Sequence, residues 1–176
     1  MPNIFRYRPD PLAIRLRTSG LGQVGVWLPT LLAMGVIAIE STPTFGAQQT
    51  SGWLRPIFER FMGAMSESRW EEMHHHLRKT GHFTGYGLVC LAFLRSWLIT
   101  LAGQVDVSLR GWRVRASAAA LFSTACIASL DEFHQTMLPN RTGTPWDVLL
   151  DSCGGLCMLL LVWLFLWLKS PAEQLN

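Results

Sequence analysis

Nineteen consecutive residues, 21–39, carry no charged side chain, and this run constrains the fold more than any other feature of the sequence. A helix needs about 20 predominantly apolar residues to cross the hydrocarbon core of a bilayer. Pro29 lies inside the run, and we expect it to kink the helix without ending it, because neighbouring groups can satisfy the freed backbone. The run therefore predicts a first membrane-spanning helix.

Three further segments have similar length and character, which predicts an all-α fold. Only 15% of the residues are charged, against about 25% in soluble globular domains. We predict spans at about 21–39, 82–104, 114–137 and 146–168, which makes a polytopic membrane bundle with about four transmembrane helices. A membrane domain over residues 21–168 then lies between an N-terminal segment, 1–20, and a C-terminal tail, 169–176. In residues 116–129, eleven of fourteen side chains are Ala, Ser, Thr or Cys, which favours close packing at the centre of the bundle.

The segment 40–80 is polar and mixed, which predicts a loop with one or two short helices. Five apolar residues in it have roughly helical spacing and indicate a stretch lying on the membrane surface: Trp53, Phe58, Phe61, Met62 and Met65. The run His74-His75-His76 cannot chelate a metal, because adjacent helical positions point in different directions. We expect these three histidines to be solvated or interfacial.

Orientation follows from counting Lys and Arg near the predicted spans. Eight fall on the side of the termini and six on the other side, so the positive-inside rule predicts that both termini are cytoplasmic. We expect the first span to stay uncleaved, because the sequence Phe45-Gly46-Ala47 puts a bulky residue where a signal-peptide cleavage site requires a small one.

Charge and cysteine usage exclude two other classes of protein. The net charge is +3, but the basic residues are scattered and form no run that could neutralise successive phosphates, so we expect no nucleic-acid partner. The four cysteines lie inside apolar stretches and are expected to act as small hydrophobic side chains. The expected partner is the lipid bilayer.

Ionisable residues near the membrane gather at the ends of three predicted spans. With four spans, these ends meet at the same extracytoplasmic mouth. Asp147 alone is best explained as a helix N-terminal carboxylate, whereas Asp151 lies one turn deeper and requires a partner in the bundle interior. Glu132 and Gln135 are expected to share a helix face. Asp131 is expected to be oriented toward Gln135 less favourably than it would be at a three-residue spacing. The candidate polar pocket comprises Lys79, His82, Tyr86, Asp131, Glu132, Gln135, Arg141, Asp147 and Asp151.

Order and spacing of these residues resemble those of the VanZ family of membrane proteins. The motifs are Arg78-Lys79-x-x-His82-Phe83-x-x-Tyr86, Asp131-Glu132-x-His134-Gln135, Arg141, and Trp146-Asp147-Val148-x-x-Asp151-x-x-Gly154. The resemblance covers roughly residues 27–167, including the polar break Glu40-Ser41-Thr42-Pro43 after the first span. It implies a small multi-pass protein of the bacterial plasma membrane, similar to an accessory factor in resistance to the glycopeptide teicoplanin. The polar residues above would be the shared motif of the family, which carries no agreed catalytic mechanism.

Two functions remain open on this basis. In the first, the protein is an accessory cell-envelope protein whose outward-facing pocket binds a lipid-linked or cell-surface ligand, and it needs no cofactor. In the second, it is an integral-membrane enzyme, in which Asp131, Glu132, Asp147 and Asp151 hold a divalent cation or act as general acid and base. Arg141, Lys79 and His82 would then bind the phosphate of a lipid substrate. A transporter is disfavoured, because four spans leave little room for inverted repeats unless the protein oligomerises.

Overall fold

The computed structural model describes residues 11–102, 108–139 and 141–173, and every regular element in these ranges is helical. The elements are α1 (Pro11–Thr18), α2 (Gly20–Glu40), a short 3₁₀ turn (Pro43–Phe45), α3 (Ala47–Met62), α4 (Glu67–Thr100), α5 (Leu109–Thr136) and α6 (Pro145–Glu173). Residues 1–10, 103–107, 140 and 174–176 lie outside the described ranges, and parts of the predicted N-terminal segment, second span and C-terminal tail fall there. The predicted all-α bundle is confirmed.

Three of the described helices are long and apolar enough to cross a membrane: α2, α4 and the part of α6 up to Lys169. The third predicted span corresponds to α5, which is helical over 28 residues but is not among these three. Its buried residues recur every four positions, at Ala116, Ala120, Thr124 and Ala128. This stripe of small side chains lets α5 pack closely between α4 and α6.

Helix α4 is the central element and begins earlier than the sequence pattern indicates. It has 34 residues and is therefore about 51 Å long, against about 30 Å for the hydrocarbon core of a bilayer. The segment 40–80, predicted as a loop with one or two short helices, contains the short helix α3, but from Glu67 onward it is the start of the long α4. Ser66 caps this helix by accepting a hydrogen bond from the amide of Arg69. The charged first turns of α4 therefore extend beyond the hydrocarbon core.

Helix α3 lies against this N-terminal part of α4 through side-chain contacts. The indole nitrogen of Trp70 donates to Ser51 Oγ at 2.6 Å, and the ring of Trp70 packs on Phe58 at 5.9 Å. Of the three histidines expected to be solvated or interfacial, His75 and His76 are exposed, whereas His74 is not solvated, with only 6% of it exposed. His74 stacks on Trp70, and its Nε2 lies 3.1 Å from Thr50 Oγ1.

The predicted surface-lying stretch is also corrected in detail. An exposed apolar row does run along α3: it consists of Trp53, Ile57 and Phe61 at four-residue spacing, and Met62 beside Phe61 is exposed as well. Phe58 turns inward to Trp70, and Met65 is buried in the connection after the helix. The four-residue spacing is typical of one face of a helix.

Helix α2 continues through Pro29 and is tied to α4 by polar contacts beside that proline. The carbonyl of Val26, in the turn before Pro29, accepts hydrogen bonds from Arg95 Nη1 at 2.8 Å and from Ser96 Oγ at 2.9 Å. Thr30 Oγ1 lies 2.9 Å from Ser96 Oγ, and both side chains are fully buried. Side chains of a neighbouring helix thus satisfy backbone near the proline, as expected for apolar surroundings.

Candidate functional site

Polar side chains from α4, from the end of α5 and from the start of α6 meet at one end of the bundle. The nine candidate residues fall into three connected groups and a loop arginine that joins them to α2. In two of the groups, an aspartate has a hydrogen-bond or ion-pair partner inside the group. The third contains a buried carboxylate without a hydrogen-bond partner among the described residues.

The first group joins α4 to α5 through Tyr86 and Asp131. The hydroxyl of Tyr86 donates to Asp131 Oδ2 at 2.9 Å, and Gln135 Nε2 donates to the same oxygen at 3.1 Å. The expectation that Asp131 turns less favourably toward Gln135 is therefore wrong, because residues four apart lie one above the other on a helix. Tyr86 and Asp131 are both buried, so this carboxylate already has its partners inside the protein.

The second group is at the first turn of α6. Lys79 Nζ forms an ion pair with Asp147 Oδ1. Thr144 Oγ1 accepts from the amide of Asp147 at 3.2 Å, so the threonine side chain caps the helix, and it donates to Asp147 Oδ2 at 3.0 Å. Asp147 therefore combines the expected role at a helix N-terminus with a cationic partner on α4.

The third group consists of His82, Glu132 and Asp151. One potential ligand atom of each lies within 4.8 Å of the others. Asp151 is fully buried, and His82 Nδ1 lies 3.6 Å from Asp151 Oδ1, which is too long for a good hydrogen bond. Glu132 accepts from the amide of Thr144 at 3.0 Å and from Gln135 Nε2 at 3.4 Å.

This third group differs from the four carboxylates that the sequence suggests as metal ligands. Asp131 and Asp147 are held by Tyr86 and Lys79 respectively. His82, expected to bind phosphate, lies instead beside Glu132 and Asp151. The structure therefore separates two paired carboxylates from two that face a histidine.

Arg141 connects the loop before α6 to the end of α2. Its Nη2 donates to the carbonyls of Glu40 at 2.9 Å and Thr42 at 2.8 Å, where the negative end of the helix dipole favours a cation. Its Nη1 lies 3.4 Å from Gln135 Oε1. Arg141 Nε is buried and has no hydrogen-bond partner among the described residues. The guanidinium is thus held through its two Nη atoms, while its Nε donor has no partner among the described residues.

Two adjoining spaces lie beside these groups. A polar cavity of about 130 Å³ is lined by residues that include Lys79, Glu132 and Gln135. An apolar groove of about 580 Å³ runs between α2 and α4 along Val36, Ile37, Leu77 and Leu88. Both spaces are bordered by Arg78, His82 and Arg141, so a row of basic side chains separates the apolar wall from the polar one.

Some residues at this site were not among the candidates derived from the sequence. Thr144 both caps α6 and holds Glu132, and the pattern Thr144-Pro145-Trp146-Asp147 could have revealed it as a helix start. Ser41 Oγ lies 3.3 Å from His134 Nδ1, so the polar break after α2 contacts the end of α5. No pattern in the sequence predicts that contact, because it depends on how the helices are arranged.

The fold and the site define a helical membrane protein with a cluster of charged and polar side chains at one end of its bundle. The sequence model of the VanZ/LLP1 family matches residues 26–166, and the chain belongs to this family. Comparison with curated proteins and with solved structures gives no match.

Proposed function

We propose that this protein is an accessory cell-envelope membrane protein whose polar cavity binds the anionic head group of a lipid-linked ligand. The main support is the junction between the polar cavity and the apolar groove at Arg78, His82 and Arg141. A ligand with a phosphate head and a hydrocarbon tail matches both walls, since binding sites combine apolar surface with a few placed polar groups.

Arg141 is the residue best suited to hold the head group. A guanidinium presents donors in a fixed plane that fits phosphate oxygens. Contacts to Glu40, Thr42 and Gln135 fix its orientation, while its Nε lacks a partner among the described residues. The ligand would therefore meet a guanidinium whose orientation is already fixed.

In the cell, this site would face outward from the bacterial plasma membrane, with both termini in the cytoplasm. The excess of Lys and Arg on the side of the termini supports that orientation. Membership of the VanZ/LLP1 family supports an effect on glycopeptide susceptibility, since its name-giving relative is associated with teicoplanin. The ligand would then be a component of the envelope that the antibiotic encounters.

The binding test uses the full chain purified in detergent, with dodecyl phosphate and dodecanol as probes. We expect dodecyl phosphate to bind more tightly than dodecanol and Arg141→Gln to weaken only the phosphate. A charged hydrogen bond contributes about 1.5–3 kcal/mol, which corresponds to a loss of about ten- to hundredfold. Arg110→Gln, an exposed arginine at the start of α5, is the matched control. Equal binding of the two probes would exclude the proposed head-group site.

The cellular test is teicoplanin susceptibility in a sensitive host that expresses the protein. We expect the wild type to raise tolerance, and Glu132→Gln, Arg141→Gln and Asp151→Asn to lose the effect at equal membrane levels. Arg110→Gln should retain it. Loss of tolerance in the Arg110→Gln variant as well would mean that the change does not originate at the polar cavity.

A second candidate function is an integral-membrane enzyme that hydrolyses a lipid-linked phosphate. Asp151 favours it, because a fully buried carboxylate without a hydrogen-bond donor is a typical result of selection for chemistry. In such a reaction water adds to phosphorus, the ester bond to the lipid oxygen breaks, and the leaving alcohol takes up a proton. Release of inorganic phosphate from dodecyl phosphate, abolished by Asp151→Asn, would favour the enzyme. Binding without release would favour the accessory protein.

A further inference from the structure

Asp151 is buried without the partners that a buried carboxylate needs. It lies one turn inside α6, is 0% exposed, and neither of its oxygens has a hydrogen-bond partner among the described residues. Burying an ionised carboxylate in such surroundings costs several kcal/mol of free energy, similar to the cost inside a membrane, unless an opposite charge compensates it. The imidazole of His82 lies beside it, with Nδ1 3.6 Å from Oδ1.

That distance is long for a hydrogen bond but matches two ligands of one metal ion. With metal–ligand distances of about 2.0–2.1 Å, the edge of a tetrahedron is about 3.3 Å. Glu132 supplies a third atom, and the three ligand atoms all lie within 4.8 Å of one another. A small movement of His82, whose side chain is 28% exposed, would complete the geometry.

We infer that His82, Glu132 and Asp151 form a binding site for one divalent transition-metal ion, of the Mn²⁺ or Zn²⁺ type. One imidazole and two carboxylates are a mixed set that suits these ions better than Mg²⁺ or Ca²⁺, which prefer oxygen ligands alone. The neighbouring carboxylates are engaged, Asp131 by Tyr86 and Asp147 by Lys79.

Two of the positive side chains near the site have other partners, while Arg78 lines the same cavity as Glu132. Lys79 is paired with Asp147, and Arg141 directs Nη2 to the carbonyls of Glu40 and Thr42. Among the described residues, neither carboxylate of the site accepts a hydrogen bond from a Lys or Arg side chain. Their orientation is supported from outside, because Glu132 accepts from the amide of Thr144 in the manner of an outer-shell contact.

The site opens toward the polar cavity, since His82 and Glu132 line that cavity while Asp151 lies behind them. Three protein ligands leave at least one coordination position for a water molecule or an anionic oxygen. This inference deepens the proposed function by adding an ion at the wall of the head-group cavity, where a phosphate oxygen could reach it. Its test requires no lipid ligand.

The experiment titrates Mn²⁺ into the full chain in detergent after removal of metal by a chelator, with binding followed by electron paramagnetic resonance and calorimetry. We expect one saturable site per chain and competition by Zn²⁺. Asp151→Asn should weaken Mn²⁺ binding on the order of 100-fold or more, because even outer-shell changes cost about 10–100-fold. His82→Gln, at a partly exposed position, should weaken it similarly.

Glu72→Gln is the matched control, since it also replaces a carboxylate by an amide on a helix of the site, α4, but at an exposed position outside the group. We expect it to leave the affinity for Mn²⁺ unchanged. Absence of a saturable site in the folded wild type would overturn the inference and leave an ion pair between His82 and Asp151. Equal weakening by Glu72→Gln would also overturn it. Failure here leaves binding of dodecyl phosphate to Arg141 testable, so the two proposals can fail separately.

Discussion

Gly154 of α6 lies directly against the backbone carbonyl of Phe83 in α4, so that a Cβ atom at position 154 would overlap the carbonyl oxygen. One turn along, a Cβ at Gly87 would lie 2.8 Å from Met158 Cγ and 3.2 Å from the carbonyl oxygen of Gly154. Small residues therefore allow the two backbones to approach closely. His82 and Asp151 flank this contact, which brings their side chains to one level.

We expect Gly154→Ala to destabilise the bundle. The added methyl group meets rigid backbone, and overpacking of this kind costs about 1–3 kcal/mol. The free energy of unfolding in detergent is the measurement. Gly81→Ala is the control, because nothing lies within 4 Å of a Cβ at that helical position, and alanine there should be neutral or favourable by up to about 1 kcal/mol. Equal stability of the two variants would contradict the close contact.

We expect Tyr86→Phe to lower the free energy of unfolding by about 1–3 kcal/mol, because the substitution removes a donor from a buried carboxylate and keeps the ring. The hydroxyl donates to Asp131 at 2.9 Å, and without it only the hydrogen bond from Gln135 remains. Thr80→Val removes an exposed hydroxyl bonded within its own helix and should change stability little. A Tyr86→Phe variant as stable as wild type would show that Asp131 does not depend on the tyrosine.

A double-mutant cycle should detect coupling between Thr30 and Ser96. Ser96 donates its only proton to the carbonyl of Val26, so Thr30 must donate to Ser96 across their 2.9 Å contact. We expect Thr30→Val and Ser96→Ala to couple by about 0.6 kcal/mol, and by no more than about 1.7 kcal/mol, as for hydrogen bonds between membrane helices. Thr30→Val combined with Ser129→Ala, an exposed position, should be additive. Additivity in both pairs would refute the interhelical bond.

The connection between α3 and α4 should loosen in acid. The guanidinium of Arg55, followed by the amide of Met65, lowers the pKa of Glu59 from its ordinary value of 4.5. A carboxylate with a lowered pKa stabilises the folded state above its ordinary value, and this contribution is lost as the pH falls through the lowered one. We therefore expect weaker protection of the Met65 amide against hydrogen exchange, relative to its intrinsic exchange rate, at pH values below 4.5.

The comparison for this prediction is Glu59→Gln, measured at the same pH so that the intrinsic exchange rate cancels. We expect the Met65 amide of this variant to be weakly protected at neutral pH as well. Its protection should then be the same under neutral and acidic conditions. Glu72→Gln, at an exposed position on α4, should behave as the wild type. A Glu59→Gln variant with full protection at neutral pH would argue against the carboxylate as the support of this connection.

Much of the fold is predictable from the sequence, because apolar length alone identifies helices that can cross a bilayer. The start of α4 is not predictable in the same way. Residues 67–80 are charged and polar, and their helix depends on the cap at Ser66 and on Trp70 packing against α3. The contact of Trp70 with α3 thus stabilises a helix where the polar composition predicts a loop, and the stacking of His74 on Trp70 buries that histidine.

For the candidate site, spacing predicts which residues face one way on each helix. Spacing does not determine how one helix is rotated relative to another. This rotation decides which side chains of neighbouring helices contact each other. Asp147 therefore meets Lys79 and Asp131 meets Tyr86, whereas Asp151 faces His82. The link from Arg141 to the end of α2 joins residues 99 or more positions apart, and no local pattern contains that information.

The three residues of the proposed metal site come from α4, α5 and α6, and Asp151 of α6 is the last of them to be synthesised. Until α6 has been inserted, His82 and Glu132 lack their third member, and no shorter product of translation can contain the complete group. Asp151 must enter the bilayer on a helix that is otherwise strongly apolar, which the insertion machinery tolerates at a cost of about 2.5–3.5 kcal/mol for a central aspartate. Docking of α6 on α4 therefore completes this group and is also the moment at which the buried carboxylate leaves lipid for protein.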